Sequence, residues 1–504
     1  MNSLSARLLN GITMYRLMLY YLGAMLVVGL ALGFTGRIFL APFALIFSLV
    51  VLTVACWGTN RIFAALLHIP VNRESALITA LILALVMPPA APTDLMGIAA
   101  LVLAALVAIG SKFLLTVGHK HIFNPVAIGA VAAGVALGRP AVWWVSSSPI
   151  MLVVVVLGGL LVTQKVRRFD MIAAYVLSNL AVTVLATPPG MMPIALQQSL
   201  LYSPLFFAGF VMLTEPMTAA HGRYSRLVYG VIVGLLSAHG IHIGHFFFSP
   251  EAAFLVGNLF AWSVSPKGRF RMTLLKIEQI AAECQEFVFR SDRSLNFVAG
   301  QYLDWTLQVP AQDNRGNRRS FTIASAPGED HVRLGVKFYP EPSAFKRQLS
   351  SMQPGDVIFG SQIAGNFTLP RDPERKLLFI AGGIGITPFR SMIQHLLNRH
   401  QTRDAILLYG NRHAADIAYG DLLERAGREI GLCTKHVISD DPPELHNHLS
   451  GFIDSELLQR EVPDLGERTI YVSGPQLMVT NLRRELSACG IPRRQIKTDF
   501  FPGF

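Results

Sequence analysis

Charge is what this chain lacks most. Of its 504 residues, 15% are charged and 52% hydrophobic, whereas a soluble domain carries about 25% charged residues. The deficit is local. Residues 1–265 hold five acids, Glu74, Asp94, Asp170, Glu215 and Glu251, beside thirteen lysines and arginines. That half carries +8 of the total +11, which leaves +3, an ordinary soluble balance, for residues 266–504. The basic surplus falls in loops between apolar runs rather than in a stripe with exposed aromatics, which excludes nucleic acid as a partner. Cysteine is scarce too. Cys56, Cys284, Cys433 and Cys489 lie far apart, so no pair has the spacing of a zinc clip or a [2Fe–2S] cluster, and no metal site is expected. No small-residue cleavage site follows the first apolar run, Leu17 to Phe34, so this run is expected to span rather than be removed.

Apolar runs recur from Leu17 to Trp262. They predict ten crossings, roughly 15–35, 39–57, 75–87, 94–110, 122–138, 149–163, 171–186, 200–214, 226–240 and 250–264. A full span needs about 20 residues, so several must borrow flanking residues or break within the bilayer. With the amino terminus inside, the inner segments carry fourteen Lys or Arg and the outer loops two, Arg37 and Arg139. That positive-inside asymmetry, with an even count, predicts a multi-pass inner (plasma) membrane protein with both termini cytoplasmic. Three stretches interrupt the pattern: Leu85 to Pro89, Ser111-Lys112-Phe113 with His119 to Pro125, and Leu213 to Thr218. Proline with polar groups near membrane depth frees backbone groups for a ligand or ion. Ordinary helix ends at the interface would look the same.

The segments ALILALVMPP, SKFL with HKHIFNPVAIG, and MLTEPMT resemble the family of the B subunit of the sodium-pumping NADH:quinone reductase and the D subunit of the Rnf complex. The resemblance covers nearly all of residues 1–265. It implies about ten helices and membrane-held flavin. Many members attach FMN covalently to a threonine in a Ser-Gly-Ala-Thr type motif near the outer face. The outer loop Ala186 to Met192 lacks that motif, which leaves a noncovalent FMN or riboflavin near Asn124. His239, His242 and His245 are spaced by three. On a continued helix they would share a face; interfacial histidines are the alternative, with Gly240 and Gly244 against continuation.

Ser265 to Arg269 reads as a short polar linker, too short to let the next domain roam. Thereafter the pattern changes. Short alternating strands, Thr273–Ile280, Glu286–Arg290, Tyr302–Val309, Arg333–Tyr339 and Asp356–Gly360, predict a small antiparallel barrel. Arg319-Ser320-Phe321-Thr322 falls on one of its strands. An arginine pairs with a pyrophosphate, a flat aromatic covers an isoalloxazine ring, and a hydroxyl reaches the ring nitrogen that takes up hydride. Val336, Lys337 and Tyr339, then Gly365, Asn366 and Phe367, follow at suitable spacing; a glycine before an aromatic suits close approach of backbone to a pyrophosphate. After Pro370 strands and helices alternate, which predicts a parallel α/β layout. Gly382, Gly383, Gly385, Thr387 and Pro388 form a strand-to-helix turn where a diphosphate reaches a helix N-terminus. Ser473, Gly474 and Pro475 cap a later strand, and the chain ends on aromatics, Phe500, Phe501 and Phe504.

Together these motifs resemble the ferredoxin–NADP reductase family over about 230 residues. The resemblance implies FAD, with Arg319, Phe321 and Thr322 matching the Arg-x-Tyr-Ser/Thr motif. Gly382 to Pro388 match the dinucleotide turn. Ser473, Gly474 and Pro475 match a Cys-Gly-Pro whose cysteine lies near the nicotinamide, and serine is a departure. The final aromatics resemble those that shield the flavin. Coenzyme choice rests on the segment with Asn411 and Arg412. Arg412 greets a 2′-phosphate or is merely solvated, and the membrane-half resemblance favours NADH over NADPH.

The expected architecture is a polytopic α-helical membrane domain (1–265), an FAD-binding antiparallel β-barrel (266–370) and an NAD(P)-binding parallel α/β domain (371–504). The expected function is a membrane-bound flavoprotein oxidoreductase. Cytosolic NAD(P)H would reduce FAD at Thr322 and Ser473, and electrons would enter the lipid bilayer toward a membrane flavin, a quinone or an extracytoplasmic flavoprotein. The rival is a redox-coupled or redox-sensing ion or solute transporter, with Glu215 in its path.

Overall fold

A computed structural model describes residues 12, 14–67, 73–117, 120–166, 168–220, 222–238, 240–244, 246–265, 269–309, 317–441 and 448–501. The chain divides into two compact units, Met1–Gly268 and Arg269–Phe504.

The first unit is helical. Its helices are α1 (Met14–Phe34), α2 (Pro42–Leu67), α3 (Arg73–Val86), α4 (Leu95–Leu114), α5 (Pro125–Leu137), α6 (Pro149–Val166), α7 (Phe169–Ala186) and α8 (Met192–Leu201). Then come α9 (Leu205–Met212), α10 (Arg223–Leu236) and α11 (Pro250–Val264). Every apolar run of the sequence falls on a helix. Among the described residues, α1, α2, α4, α6 and α7 are long and apolar enough to cross a membrane, and the bent pair α8–α9 makes a sixth. The others are short for identifiable reasons. Met87-Pro88-Pro89 stops α3, and proline at the first turn starts both α5 and α11. The capping hydroxyl or amide comes from Asn124 for α5 and Ser249 for α11.

The helices repeat. α2 packs on α4 as α7 packs on α10, and α4 packs on α5 as α10 packs on α11. The contacts α1–α6 and α5–α11 join the two sets. Each set ends in a two-residue hairpin before its proline-started helix: β1 (Thr116–Val117) with β2 (Lys120–His121), and β3 (His242–Ile243) with β4 (Phe246–Phe247). α10 stops at Leu236 and His242 lies on β3. The helix face that the spaced histidines needed therefore does not form; His239 and His245 lie outside the described residues.

The second unit has two lobes. The first is a six-stranded antiparallel sheet of β5 (Phe270–Ala281), β6 (Cys284–Ser291), β7 (Tyr302–Thr306), β8 (Arg318–Thr322), β9 (Val332–Lys337) and β10 (Val357–Ala364), ordered β8-β7-β10-β5-β6-β9. Ala324 N–H donates to Arg333 O at 2.9 Å, which draws the two edge strands together around a core of Phe287, Phe289, Trp305 and Phe345. A short helix, α12 (Ala344–Ser350), covers it.

The second lobe is a parallel sheet of β11 (Leu377–Gly382), β12 (Ala405–Asn411), β13 (Cys433–Ile438), β14 (Leu449–Ser450), β15 (Thr469–Pro475) and β16 (Ile496–Phe501). Its order is β14-β13-β12-β11-β15-β16, so the strand order reverses between β11 and β15. Ligands of open α/β sheets bind at that reversal, beyond the carboxyl ends of the strands. α13 (Thr387–Asn398), α14 (Gly420–Ile430), α15 (Ser455–Glu461) and α16 (Gln476–Ala488) flank it. β13 and β16 escape the sequence pattern. The terminal aromatics sit on an edge strand in parallel register with β15, with Phe500 opposite Gly474.

The lobes touch at Gly300. Its φ is +92°, and a Cβ there would collide with Phe367 O and with Met392 Cε of α13. Gly300→Ala is expected to destabilise the reductase unit by about 1–3 kcal/mol, because alanine is strained at positive φ and the carbonyl cannot yield. Calorimetry of the full chain should show its transition moving down.

Candidate active site

Pairing with β7 gives β8 its geometry. Side chains of a strand alternate between faces, so Arg319 and Phe321 share one side. The Arg319 guanidinium lies 5.5 Å over the Phe345 ring, and the Phe321 ring stands 5.9 Å from it. Phe345, in the first turn of α12, is a site residue the sequence did not reveal; its only signal is Ser343, which caps that helix by accepting from Lys346 N–H. Ser320 faces the other way and donates to Asp304. Thr322 ends the strand 3% exposed, and its Oγ1 has no hydrogen-bond partner among the described residues.

The opposite wall comes from the glycine turns. β11 ends in Gly382, a tight turn spans Gly383–Ile386, and α13 starts at Thr387 with Pro388 in its first turn. Gly383 sits at φ +52°. A Cβ on Gly385 would meet Ser473 O and come within 2.6 Å of Gly474 Cα, so the turns after β11 and β15 interlock where the strand order reverses. Ser473 is 0% exposed, and its Oγ also lacks a partner among the described residues. A buried hydroxyl without a partner costs about 1–3 kcal/mol.

Gly335 joins the walls. A Cβ there would stand 2.7 Å from Tyr419 Oη and 2.8 Å from Thr387 Cγ2, so β9 presses its bare backbone against the dinucleotide turn. Tyr419 itself holds φ +62° and donates to Glu286 Oε1 at 2.9 Å. Burial, reinforced by Glu286, pushes its phenol well above the ordinary range. Arg333 pairs with Glu286, Glu278 and Glu329. Burial opposes the Arg333 charge, and those carboxylates more than offset it, raising its pKa. Arg390 of α13 reaches the same Glu329 and donates to Ala324 O at 3.0 Å.

The remaining candidates separate. Val336 is buried in the barrel core. Lys337 pairs with Glu283 at 3.1 Å, and Lys346 Nζ lies 4.9 Å from the Tyr339 ring centroid. Gly365 adopts φ +123° and accepts from Gln301 through its carbonyl; Asn366 is exposed. Phe367 is core, packed between Phe389 and Tyr471. Asn411 ends β12 and Arg412 follows it, exposed. Pro475 pairs with Phe501, Phe500 is half-buried, and Phe504 lies outside the described residues. Asn124 belongs to the helical unit and is occupied there. Its Oδ1 caps Ala127, and its Nδ2 donates to Glu215 Oε2 at 2.9 Å. Thr218 donates to the same oxygen and His121 Nε2 lies 3.4 Å from the other. Two of the interruptions in the apolar pattern therefore converge on Glu215. Among the described residues no group of three metal-ligating side chains forms.

Residues 379–484 match the oxidoreductase NAD-binding domain family. The reductase component of propane 2-monooxygenase from Rhodococcus jostii (strain RHA1) is 29% identical over 210 residues, which is 41% of this chain and 55% of that protein. The flavohemoprotein of Burkholderia sp. (strain TH2) is 27% identical over 210 residues, 41% of this chain and 52% of that one. Among solved structures, Amycolatopsis cytochrome P450 reductase GcoB aligns at 25% identity and a TM-score of 0.43, covering 47% of this chain and 71% of that one. The chain spans about half the length of the curated relatives it matches. Its carboxyl-terminal unit is similar to FAD- and NAD(P)H-binding oxidoreductases such as these, and its nucleotide lobe matches an oxidoreductase NAD-binding domain.

Two outcomes follow from the burial. Thr322→Val removes an unpartnered hydroxyl at constant shape, so the FAD-free protein is expected to melt at the same or a higher temperature while flavin reduction slows about a hundred-fold. Cys284 is buried, which pushes its thiol up to about 11. It stays protonated through neutral pH, so iodoacetamide at pH about 8 should label the exposed Cys433 and Cys489 and spare Cys284 until the protein is unfolded, as peptide mass spectrometry reads.

Proposed function

We propose that this protein is a membrane-bound NAD(P)H-oxidising flavoprotein. Cytosolic nicotinamide reduces FAD in the carboxyl-terminal unit, and the electrons pass into the helical unit. From there they reach a membrane flavin, a quinone or an extracytoplasmic carrier. The observation that carries the reading is the pair of buried hydroxyls without partners among the described residues, Thr322 at the end of β8 and Ser473 near the end of β15. On this reading each is a donor for the flavin–nicotinamide pair. FAD supplies the change from a two-electron donor to one-electron outflow. The chain's residues supply the rest. Arg319 pairs with the pyrophosphate, Phe321 covers the ring, Thr322 donates to the ring nitrogen that accepts hydride, and Ser473 borders the nicotinamide. Gly382, Gly383 and Gly385 let the dinucleotide phosphates approach the N-terminus of α13.

The membrane role draws support from three further facts. Five to six helices suit a bilayer by length and composition. If the apolar runs cross as the sequence suggests, fourteen basic residues fall on one side of the bilayer and two on the other. The helices repeat as two sets, as in many transport folds, where interrupted helices in corresponding positions mark the binding site. The segments FNP and LTEP, which resemble the sodium-pumping reductase and Rnf family, meet at Glu215. The domain limits proposed on this basis are 1–265, 266–370 and 371–504.

A second reading is favoured by Glu215 itself: a carboxylate among Asn124, Thr218 and His121 suits an ion or solute transporter whose carboxyl-terminal unit only senses redox state. It predicts ion flux that persists in the Arg319→Ala/Thr322→Val double variant.

In detergent, the full chain is expected to carry FAD and to lose the flavin's absorbance when NADH or NADPH is added without oxygen. Arg319→Ala should weaken FAD retention about ten-fold or more, since a charge-assisted pyrophosphate contact is lost. Flavin extraction and absorbance spectra measure both. A wild-type chain that keeps oxidised FAD in the presence of both nucleotides refutes the reading.

A further inference from the structure

Hydride transfer depends on a gap, and two hydrogen bonds fasten the barrel lobe to α13 close to Thr322. Thr322 ends β8, and the next residues turn inward. Ala324 O accepts from Arg390 Nη1 at 3.0 Å, and Ser325 O accepts from Ser391 Oγ at 2.7 Å. Both donors lie on α13, one turn after Thr387, where the dinucleotide turn becomes helix. At 1.5 Å per residue, Ser391 stands about 6 Å along the axis from Thr387. The acceptor strand and the donor platform are thus tied together two or three residues from Thr322 and three or four from Thr387.

The two fasteners differ in how they are held. Arg390 is one member of a charge network. Its guanidinium also pairs with Glu329, whose carboxylate accepts from Ala326 N–H and pairs with Arg333. Losing it would disturb the whole 324–333 hairpin. Ser391 is 0% exposed, and its hydroxyl has a single contact to make, the Ser325 carbonyl.

We propose that Ser391 is a positioning residue for hydride transfer, one that sets the distance between the nicotinamide platform and Thr322 without touching either ring. The proposal rests on the function given above. In the step concerned, the hydride leaves nicotinamide C4 with both bonding electrons. The C–H bond breaks as an N–H bond forms at the flavin ring nitrogen, and a proton from water completes the reduced ring. A misplacement of 1 Å costs such a reaction about a hundred-fold. Binding of either dinucleotide uses other groups: Arg319 and Phe321 for FAD, the glycine turn for NAD(P)H. Ser391 should therefore move the rate of transfer and leave both occupancies alone.

The experiment is anaerobic stopped-flow reduction of the FAD-loaded full chain by NADH and by NADH deuterated at C4. In Ser391→Ala the limiting rate of flavin reduction is expected to fall about ten- to a hundred-fold. FAD content and the NADH concentration for half-maximal rate should stay within about two-fold of wild type, and the deuterium isotope effect should reach its full value as transfer becomes limiting. Ser391→Cys, of similar volume with a weak donor, should fall between. Ser391→Cys also gives a second route if Ser391→Ala does not accumulate, since it should show the same split on a smaller scale. A limiting rate in Ser391→Ala equal to wild type overturns the proposal, as does a loss that tracks FAD content alone. If the wild-type chain itself is not reduced by NADH or NADPH, the proposed function fails instead, and the two failures are told apart by that control.

Discussion

Glu329 is the charge on which the reductase unit is assembled. It accepts from Arg390 and Ala326 and pairs with Arg333. Arg333 in turn pairs with Glu286, which receives the Tyr419 hydroxyl. The chain of contacts runs from helix α13 through the barrel hairpin and strand β6 to the start of α14, crossing between the lobes twice. Buried ion pairs contribute little net stability, but removing one partner strands the other at about 3–5 kcal/mol. Such a network fixes geometry more than it adds stability. It holds the lobes in one register, and that register places Gly335 against Thr387.

Close backbone approach is the second constraint, and it depends on the first. Gly335, Gly385 and Gly300 each sit where a side chain would strike the opposite wall. Each glycine weakens its element locally. The gain is close backbone contact, while the hydroxyls of Thr322 and Ser473 stay buried and without partners among the described residues. Thr322 and Ser473 are therefore costs of folding that make sense as groups held ready for a ligand.

The parts of this arrangement legible in the sequence were those carried by consecutive residues. Arg319 to Thr322 reads as a motif because strand alternation spaces its contacts, and the glycine turn reads as one because α13 starts three residues after Ile384. The apolar runs read as helices because fourteen or more greasy residues have few other uses. What the sequence concealed was relational. Phe345, Arg390 and Ser391 look like ordinary residues of amphipathic helices, and only packing brings them to β8. β13 hides because Cys433 to Ile438 mixes charge with apolar residues at a partly exposed position. β16 reads as a tail because its partner is a strand more than twenty residues earlier. The helical repeat is faint in sequence, surviving as Phe123-Asn124-Pro125 and Phe248-Ser249-Pro250. The spaced histidines left two readings open, and Gly240 and Gly244, both at positive φ, decide against the continued helix.

The account joins a two-electron donor in water to an electron path in lipid within one chain. The most direct measurement uses proteoliposomes with the reductase unit outside, NADH added outside, and a membrane-impermeant electron acceptor sealed in the lumen. Electron flow through the helical unit predicts reduction of the luminal acceptor that stops when Thr322 is replaced by valine. NADH oxidation that reduces only acceptors outside, with the luminal one left oxidised, would contradict it.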